Sequence, residues 1–216
     1  MTIPLSRHVE HITAVDRDPQ MILQLQKCLS SQGRIEKVDT FVADMRFLKL
    51  SSVFDVVVCP RESFQLLVNE IDALHALASF RRHVSKRGCV ILDLAAFAQS
   101  SEALDDAPEY YSPGLADDEV VADWERRLDD GRTLRRSRSQ RVRSPQLLEL
   151  TFFHTLTSGA VTEEFVSTVE LRIYSLSQIC DLLKAGGLEV VEAYGNYGKA
   201  PISENSARFV ILAEAR

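Results

Sequence analysis

The sequence predicts an α/β protein built on a doubly wound, mostly parallel sheet that is interrupted by an antiparallel β insert. Three observations carry this. Short β-rich runs alternate with helical patterns through the first 98 residues, the signature of βαβ units. Two of those runs, Phe54-Asp55-Val56-Val57-Val58-Cys59 and Cys89-Val90-Ile91-Leu92-Asp93-Leu94, are near-continuously apolar, as strands covered on both faces must be. From about residue 119 the pattern switches to long alternating segments punctuated by Asp129-Asp130-Gly131 and Ser158-Gly159, which are hairpin turn sequences.

The remaining elements follow in order. Residues 2–10 are too few for more than the tail of a helix. The run His11-Ile12-Thr13-Ala14-Val15 ends in Asp16, and Asp18-Pro19 then reads as a helix N-cap followed by proline at the first helical position. Met21, Ile22, Leu25, Cys28 and Leu29 recur at helical spacing, and Gly33 closes the helix. A second strand over 37–42 ends at Ala43-Asp44-Met45. The fourth element of the βα series, the FDVVVC run, ends at Pro60-Arg61-Glu62-Ser63-Phe64. Residues 66–84 read as a helix with Leu67, Ile71, Leu74, Leu77 and Phe80 on one stripe and Arg81, Arg82 and His83 at its C-terminal dipole. Arg87-Gly88 turns the chain into the CVILDL strand. Residues 100–118 are loop-like and acidic, and the alternating segments span 119–128, 133–142, 147–155 and 161–173. Ser175 and Gln178 form a capping box that opens a helix stopping at Gly186-Gly187. Strands over 188–193 and 208–213, joined by the loop 195–205, finish the chain.

Length and composition narrow the function classes. With 216 residues and 45% hydrophobic content, one good core can be buried, so a single domain over 1–216 is expected: a core of 1–98 and 174–216 with a β-rich lid at about 99–173. A net charge of −6 argues against a nucleic-acid or membrane-surface binder, and neither partner is expected. The arginines from Arg132 to Arg143 face a matching run of acids from Asp117 to Asp130, so a hairpin at Asp130-Gly131 lays opposite charges across from each other. Cys28, Cys59, Cys89 and Cys180 are scattered, with no metal-ligand spacing, and read as reduced thiols; no metal site is expected. No apolar run approaches membrane-spanning length and no signal-peptide h-region is seen, so a cytoplasmic protein is expected.

An acid at the carboxyl end of a parallel strand can grip both hydroxyls of a ribose, and Asp16 stands at that point. The bland reading is a solvated acid in a βα loop. Taken together, AVDRDPQM, VADM, FDVVVC, RGCVILDL and the closing pair GLEVVEAYGN and ARFVILAEA resemble, in order and spacing and over nearly the whole chain, the class I S-adenosylmethionine-dependent methyltransferases acting on small molecules. The resemblance implies a Rossmann-like fold ending in an antiparallel strand pair, with S-adenosylmethionine as cofactor and a small-molecule N, O or C nucleophile as methyl acceptor. It also implies roles. Asp16 binds the ribose hydroxyls, Asp44 accepts from the adenine amino group, Arg17, Met21 and Met45 flank the adenine, and Cys59 and Pro60 line the methionine part. The insert is implied to cover the acceptor.

The ordinary readings stand beside these: Met21 and Met45 as core fillers, Asp44 as the cap of its turn. Arg61, Glu62, Phe64, Tyr110, Tyr111, His154 and Arg172 are candidates for the acceptor pocket, with Tyr174 behind them. His154 is the best-placed histidine for a base, against the reading of a satisfied sheet histidine. The catalytic residue itself is not identified. One departure is expected to matter. The family's first strand and glycine-rich loop have no counterpart, so either the chain lacks an N-terminal segment or its second and fourth strands close the gap, and cofactor affinity is expected to be weak. A homo-oligomer is compatible with all of this. The competing function classes are a catalytically silent methyltransferase-like protein or partner subunit, and a NAD-dependent Rossmann enzyme.

Overall fold

The computed structural model describes residues 1–33, 35–97 and 108–215. The expected start of the insert and the first part of the acidic loop 100–118 lie outside the described residues. Helix α1 (Thr2–Leu5) precedes strand β1 (Ile12–Asp16). Helix α2 (Pro19–Ser31) starts where the sequence places it: the Asp18 carboxylate accepts from the Gln20 N–H at 2.8 Å, and Pro19 occupies the first position. Its Leu29 packs with Ala14 of β1 and Val38 of β2 (Val38–Val42) to form a small core of its own, while Met21 stays 57% exposed. Strands β1 and β2 are parallel and in register from Ile12↔Val38 to Asp16↔Val42.

Strand β3 (Phe54–Cys59) pairs in parallel with β4 (Val84–Ala95). Helix α3 (Glu70–His83) between them begins later than the residue pattern suggests. Asn69 caps it by accepting from the Asp72 N–H at 2.8 Å, and Ser63–Leu66 form a separate 3₁₀ turn. Arg87-Gly88 is not a turn; β4 runs straight through from Val84, with an irregular register opposite Phe54–Val56. Gly88 sits there because a Cβ would lie 2.5 Å from the Asp55 carbonyl oxygen. His83, at the end of α3, is a satisfied core histidine: its Nδ1 faces the Ser79 carbonyl at 2.7 Å and the Leu50 N–H donates to its Nε2 at 3.0 Å.

Helix α4 (Leu176–Ala185) carries the expected capping box, with Ser175 and Gln178 each bonded to the other's backbone N–H. It leads into β9 (Leu188–Tyr194), which pairs antiparallel with β10 (Arg208–Ala215), which in turn lies antiparallel against β4. The strand order is β3-β4-β10-β9. The main core lies between this sheet and helices α3 and α4: Phe64, Leu77, Val90, Leu92, Leu94, Ile179, Leu183 and Ile211 are fully buried. Each such side chain contributes roughly 1.5–3 kcal/mol of transfer free energy.

The parallel strands form two hydrogen-bonded pieces, β1-β2 and β3-β4-β10-β9; β1 and β3 do not pair, so they do not close the gap between them. The consequence shows on β3. It has β4 as its strand neighbour among the described residues, and its run is not covered on both faces: Val56 and Val58, which share a face, are 48% and 39% exposed.

The insert is a four-stranded antiparallel sheet, β5 (Val121–Arg127), β6 (Thr133–Ser144), β7 (Leu147–Ser158) and β8 (Val161–Arg172), in sequential order. Gly131 and Gly159 take the positive φ their hairpins require. Acids and arginines sit as expected: Glu125 is opposite Arg135 and bonded to it, Arg132 pairs with Asp130 at 2.6 Å, and Arg136 and Arg138 share Asp123 at 2.8 and 2.7 Å. One end of the sheet packs on the core through Leu148, Leu150 and Leu171 against Ala95, Phe97 and Tyr111.

Candidate active site

Two clusters form at the carboxyl ends of the parallel strands, where such sheets bind ligands. The first is at the end of β1 and β2. Asp16 closes β1, and one of its carboxylate oxygens accepts from the Asp18 N–H at 2.9 Å, while the other has no hydrogen-bond partner among the described residues. The Ala43 N–H donates to the Asp16 carbonyl at 3.0 Å, which places Asp44 beside it. Asp44 caps the 3₁₀ turn Met45–Phe47 by accepting from the Arg46 N–H at 2.9 Å. Its two oxygens also take the Arg46 guanidinium, at 2.6 Å from Nη2 and 3.0 Å from Nε, and Arg46 Nη1 donates to Asp72 of α3 at 2.8 Å. The side-chain bond from Arg46, against a smaller burial penalty, holds the Asp44 carboxyl below its usual range. Arg17 and Met21 are exposed near this end, and Met45 is part-buried against the main core. Asp16 thus fits a diol-bearing ligand. Both Asp44 oxygens are already engaged by Arg46.

The second cluster lies at the end of β3 and β4. Cys59 is buried in the core, and burial pushes its thiol up to about 12. After Pro60, Arg61 and Glu62 both take left-handed backbone, with φ of 52° and 59°. That conformation costs a non-glycine residue on the order of 1–3 kcal/mol and needs outside support. Asp93 of β4 supplies it: its Oδ2 accepts from the Arg61 N–H at 2.9 Å and its carbonyl from the Glu62 N–H at 3.0 Å. Arg208, the first residue of β10, lies with Nη1 2.7 Å from Glu62 Oε1 and also donates to Asp93. The Tyr197 hydroxyl donates to Asp93 Oδ2 at 2.9 Å, and the Arg208 guanidinium stacks on the Tyr197 ring at 4.8 Å. Tyr110 stands against Glu62; burial first, then the Glu62 charge and hydrogen bond, push its hydroxyl far above the usual tyrosine range. Burial and Asp93 together push Tyr197 up to about 12. For Arg208, burial works against the charge, but Asp93 and Glu62 outweigh it and leave the guanidinium more firmly protonated.

The other candidates lie elsewhere. Phe64 is fully buried in the main core between the rings of Phe80 and Tyr174, at 6.5 and 6.1 Å. Tyr111 packs edge-on to Phe97 at 5.1 Å beneath the insert. Arg172 donates to the Val68 carbonyl at 2.9 Å. His154 sits opposite Arg136 on β7, half-buried beside the Trp124 ring at 6.5 Å. The residues sequence reading missed are Asp93, Tyr197 and Arg208. A signal was present for two of them: an acid inside the apolar CVILDL run, and an arginine opening the apolar strand RFVILAEA. Among the described residues no group of His, Cys, Asp and Glu is arranged to hold a metal ion, and no helix is long and apolar enough to cross a membrane.

Comparison with known proteins agrees with this fold. Residues 1–88 match the family model of a methyltransferase domain. An S-adenosylmethionine-dependent methyltransferase from Clostridium acetobutylicum is similar in structure, with a TM-score of 0.78 at 18% identity, over 99% of this chain and 78% of that one. A sugar N-methyltransferase from Streptoalloteichus superposes with a TM-score of 0.73 at 18% identity, over 100% of this chain and 75% of that one. An S-adenosylmethionine-bound amino pentose methyltransferase from Micromonospora echinaspora gives 0.68 at 17% identity, over 99% and 78%. No curated protein matches the chain in sequence.

Proposed function

We infer that this chain, which carries a methyltransferase domain over residues 1–88 and the class I S-adenosylmethionine-dependent methyltransferase fold along its length, transfers a methyl group to a small-molecule nucleophile. The observation that carries the reading is Asp16, a strand-end acid with one carboxylate oxygen that is unpartnered among the described residues, standing beside Asp44. S-adenosylmethionine, when bound, supplies a methyl group already activated on a sulfonium. The chain is then left with binding, orientation and exclusion of water. Asp16 holds the ribose hydroxyls, Arg17, Met21 and Met45 border the adenine, and Cys59 and Pro60 border the methionine part. Residues 110–173 form the lid over the acceptor. The chain works in the cytoplasm, where free thiols at Cys28, Cys59, Cys89 and Cys180 persist, as a monomer or a homo-oligomer.

A second reading, a silent methyltransferase-like subunit, is favoured by one observation: Asp44 is already claimed by Arg46. Calorimetric titration with S-adenosylmethionine, S-adenosylhomocysteine and NAD separates the classes. Binding of the first two without NAD supports methyl transfer; heat from NAD alone, or from none of the three, overturns it.

A further inference from the structure

We propose that the cluster of Glu62, Asp93 and Arg208 is the recognition site for an ammonium group carried by the methyl acceptor. This rests on the methyl-transfer reading and narrows its acceptor to a molecule that bears an amine.

The first argument is charge. Glu62 and Asp93 are each 4% exposed and Arg208 is 5% exposed, so all three are withdrawn from water. Among the described buried residues two carboxylates face one guanidinium, and the other cation that acts on the cluster, Arg61, is exposed, so the buried group itself carries an excess negative charge. Tyr110 and Tyr197 solvate the carboxylates as neutral donors but cannot neutralise them, and their own protons are held tightly. A buried charge in excess is costly unless something pairs with it. A phosphate or carboxylate ligand would add to the excess. A hydroxyl would leave it in place. An ammonium group supplies the missing positive charge together with several donors, in charge-assisted bonds of the strong kind.

The second argument is an open acceptor. Glu62 Oε1 is 2.7 Å from Arg208 Nη1, yet it is buried and receives no aligned hydrogen bond. The third is position. The cluster stands at the carboxyl end of β3 and β4, next to Cys59 and Pro60, and Glu62 is fixed there by left-handed backbone that Asp93 itself supports. Strain of this sort persists where a side chain has to be presented in one place. The fourth is access. Tyr197, 53% exposed, covers Asp93 from the loop between β9 and β10, and Tyr110 covers Glu62 from the segment that leads into the insert. Both covers are outside the main sheet.

The chemistry named is an aliphatic amine, which an amino sugar or a peptide-type amine can supply. The test uses the full chain with saturating S-adenosylhomocysteine and two probe pairs observed by ligand-detected NMR: glucosamine beside glucose, and glycinamide beside glycolamide. In at least one pair the amine is expected to bind about tenfold or more tightly than its hydroxyl partner, and the pair that discriminates identifies the source. The preference should vanish in Glu62→Gln that melts like the parent, with Asp93→Asn as the second variant. In the unmodified chain the Arg208 Nε–H resonance should move with the amine and not with the hydroxyl probe. Equal binding within both pairs, or a preference that survives Glu62→Gln, overturns the proposal. Absence of S-adenosylhomocysteine binding in a separate calorimetric titration of the same chain overturns the methyl-transfer reading instead.

Discussion

Gln65 and Ala95 exchange two hydrogen bonds, the Gln65 Nε2 donating to the Ala95 carbonyl at 3.1 Å and the Ala95 N–H donating to Gln65 Oε1 at 2.7 Å. The side-chain amide thus continues the ladder on the side where β4 runs past the end of β3. Its second N–H reaches the Arg172 carbonyl at 2.8 Å, so one fully buried glutamine ties the core to the last strand of the insert. Gln65→Leu keeps the volume and orphans a buried N–H and two carbonyls. A loss of about 1–3 kcal/mol for each group left unpaired is expected in chemical denaturation. Stability equal to the parent's would show that water replaces the glutamine.

Among the described residues Arg208 is the cation that pairs with both Glu62 and Asp93. Replacing it with Met leaves two buried carboxylates facing each other, and breaking a buried pair from one side costs about 3–5 kcal/mol. Arg208→Lys should recover part of this. A methionine variant as stable as the parent would mean that the cluster is far wetter than its burial indicates.

The chain has 5 tyrosines, and all of them, Tyr110, Tyr111, Tyr174, Tyr194 and Tyr197, ionise above the usual range. Burial is the leading cause except at Tyr194, where the bond to Glu192 leads. Tyr174 and Tyr197 are pushed up to about 12. The fold therefore keeps protons that the unfolded chain releases near its ordinary value of about 10. Their stabilisation is complete below that pH and drains away as pH rises toward 12. Tyrosinate absorbance in the folded chain should be well below that of the denatured chain at the pH where the denatured chain is half ionised. A normal midpoint in the folded chain would contradict these environments.

What could be read from the sequence was local or periodic. The Asp18-Pro19 start, the Ser175–Gln178 box and the acid–arginine hairpin were visible because each is set by residues close in sequence or by a turn that aligns them. The N-cap at Asn69 was missed because the apolar stripe already includes Leu67, which lies between the 3₁₀ turn and the cap. The exposure of Val56 and Val58 was invisible for a different reason: an apolar run states what a strand could bury, and its neighbours decide what it does bury. The Asp93–Arg208 bond joins residues 115 apart in sequence, and no spacing rule reaches that far. Of the site, Asp16, Asp44, Glu62 and Tyr110 could be named in advance, but not the residues that hold them.

The most direct measurement is calorimetric titration of S-adenosylhomocysteine into the parent chain and into Asp16→Ala, with a melting curve for each. On the proposed reading the Asp16 oxygen that is unpartnered among the described residues bonds the ligand, and the other accepts only from the exposed Asp18 N–H, so the variant should melt close to the parent. Losing charge-assisted bonds of roughly 1.5–3 kcal/mol should weaken its affinity about ten- to a hundred-fold. Equal affinity in both chains, with both folded, would contradict the placement of the ribose at the end of β1.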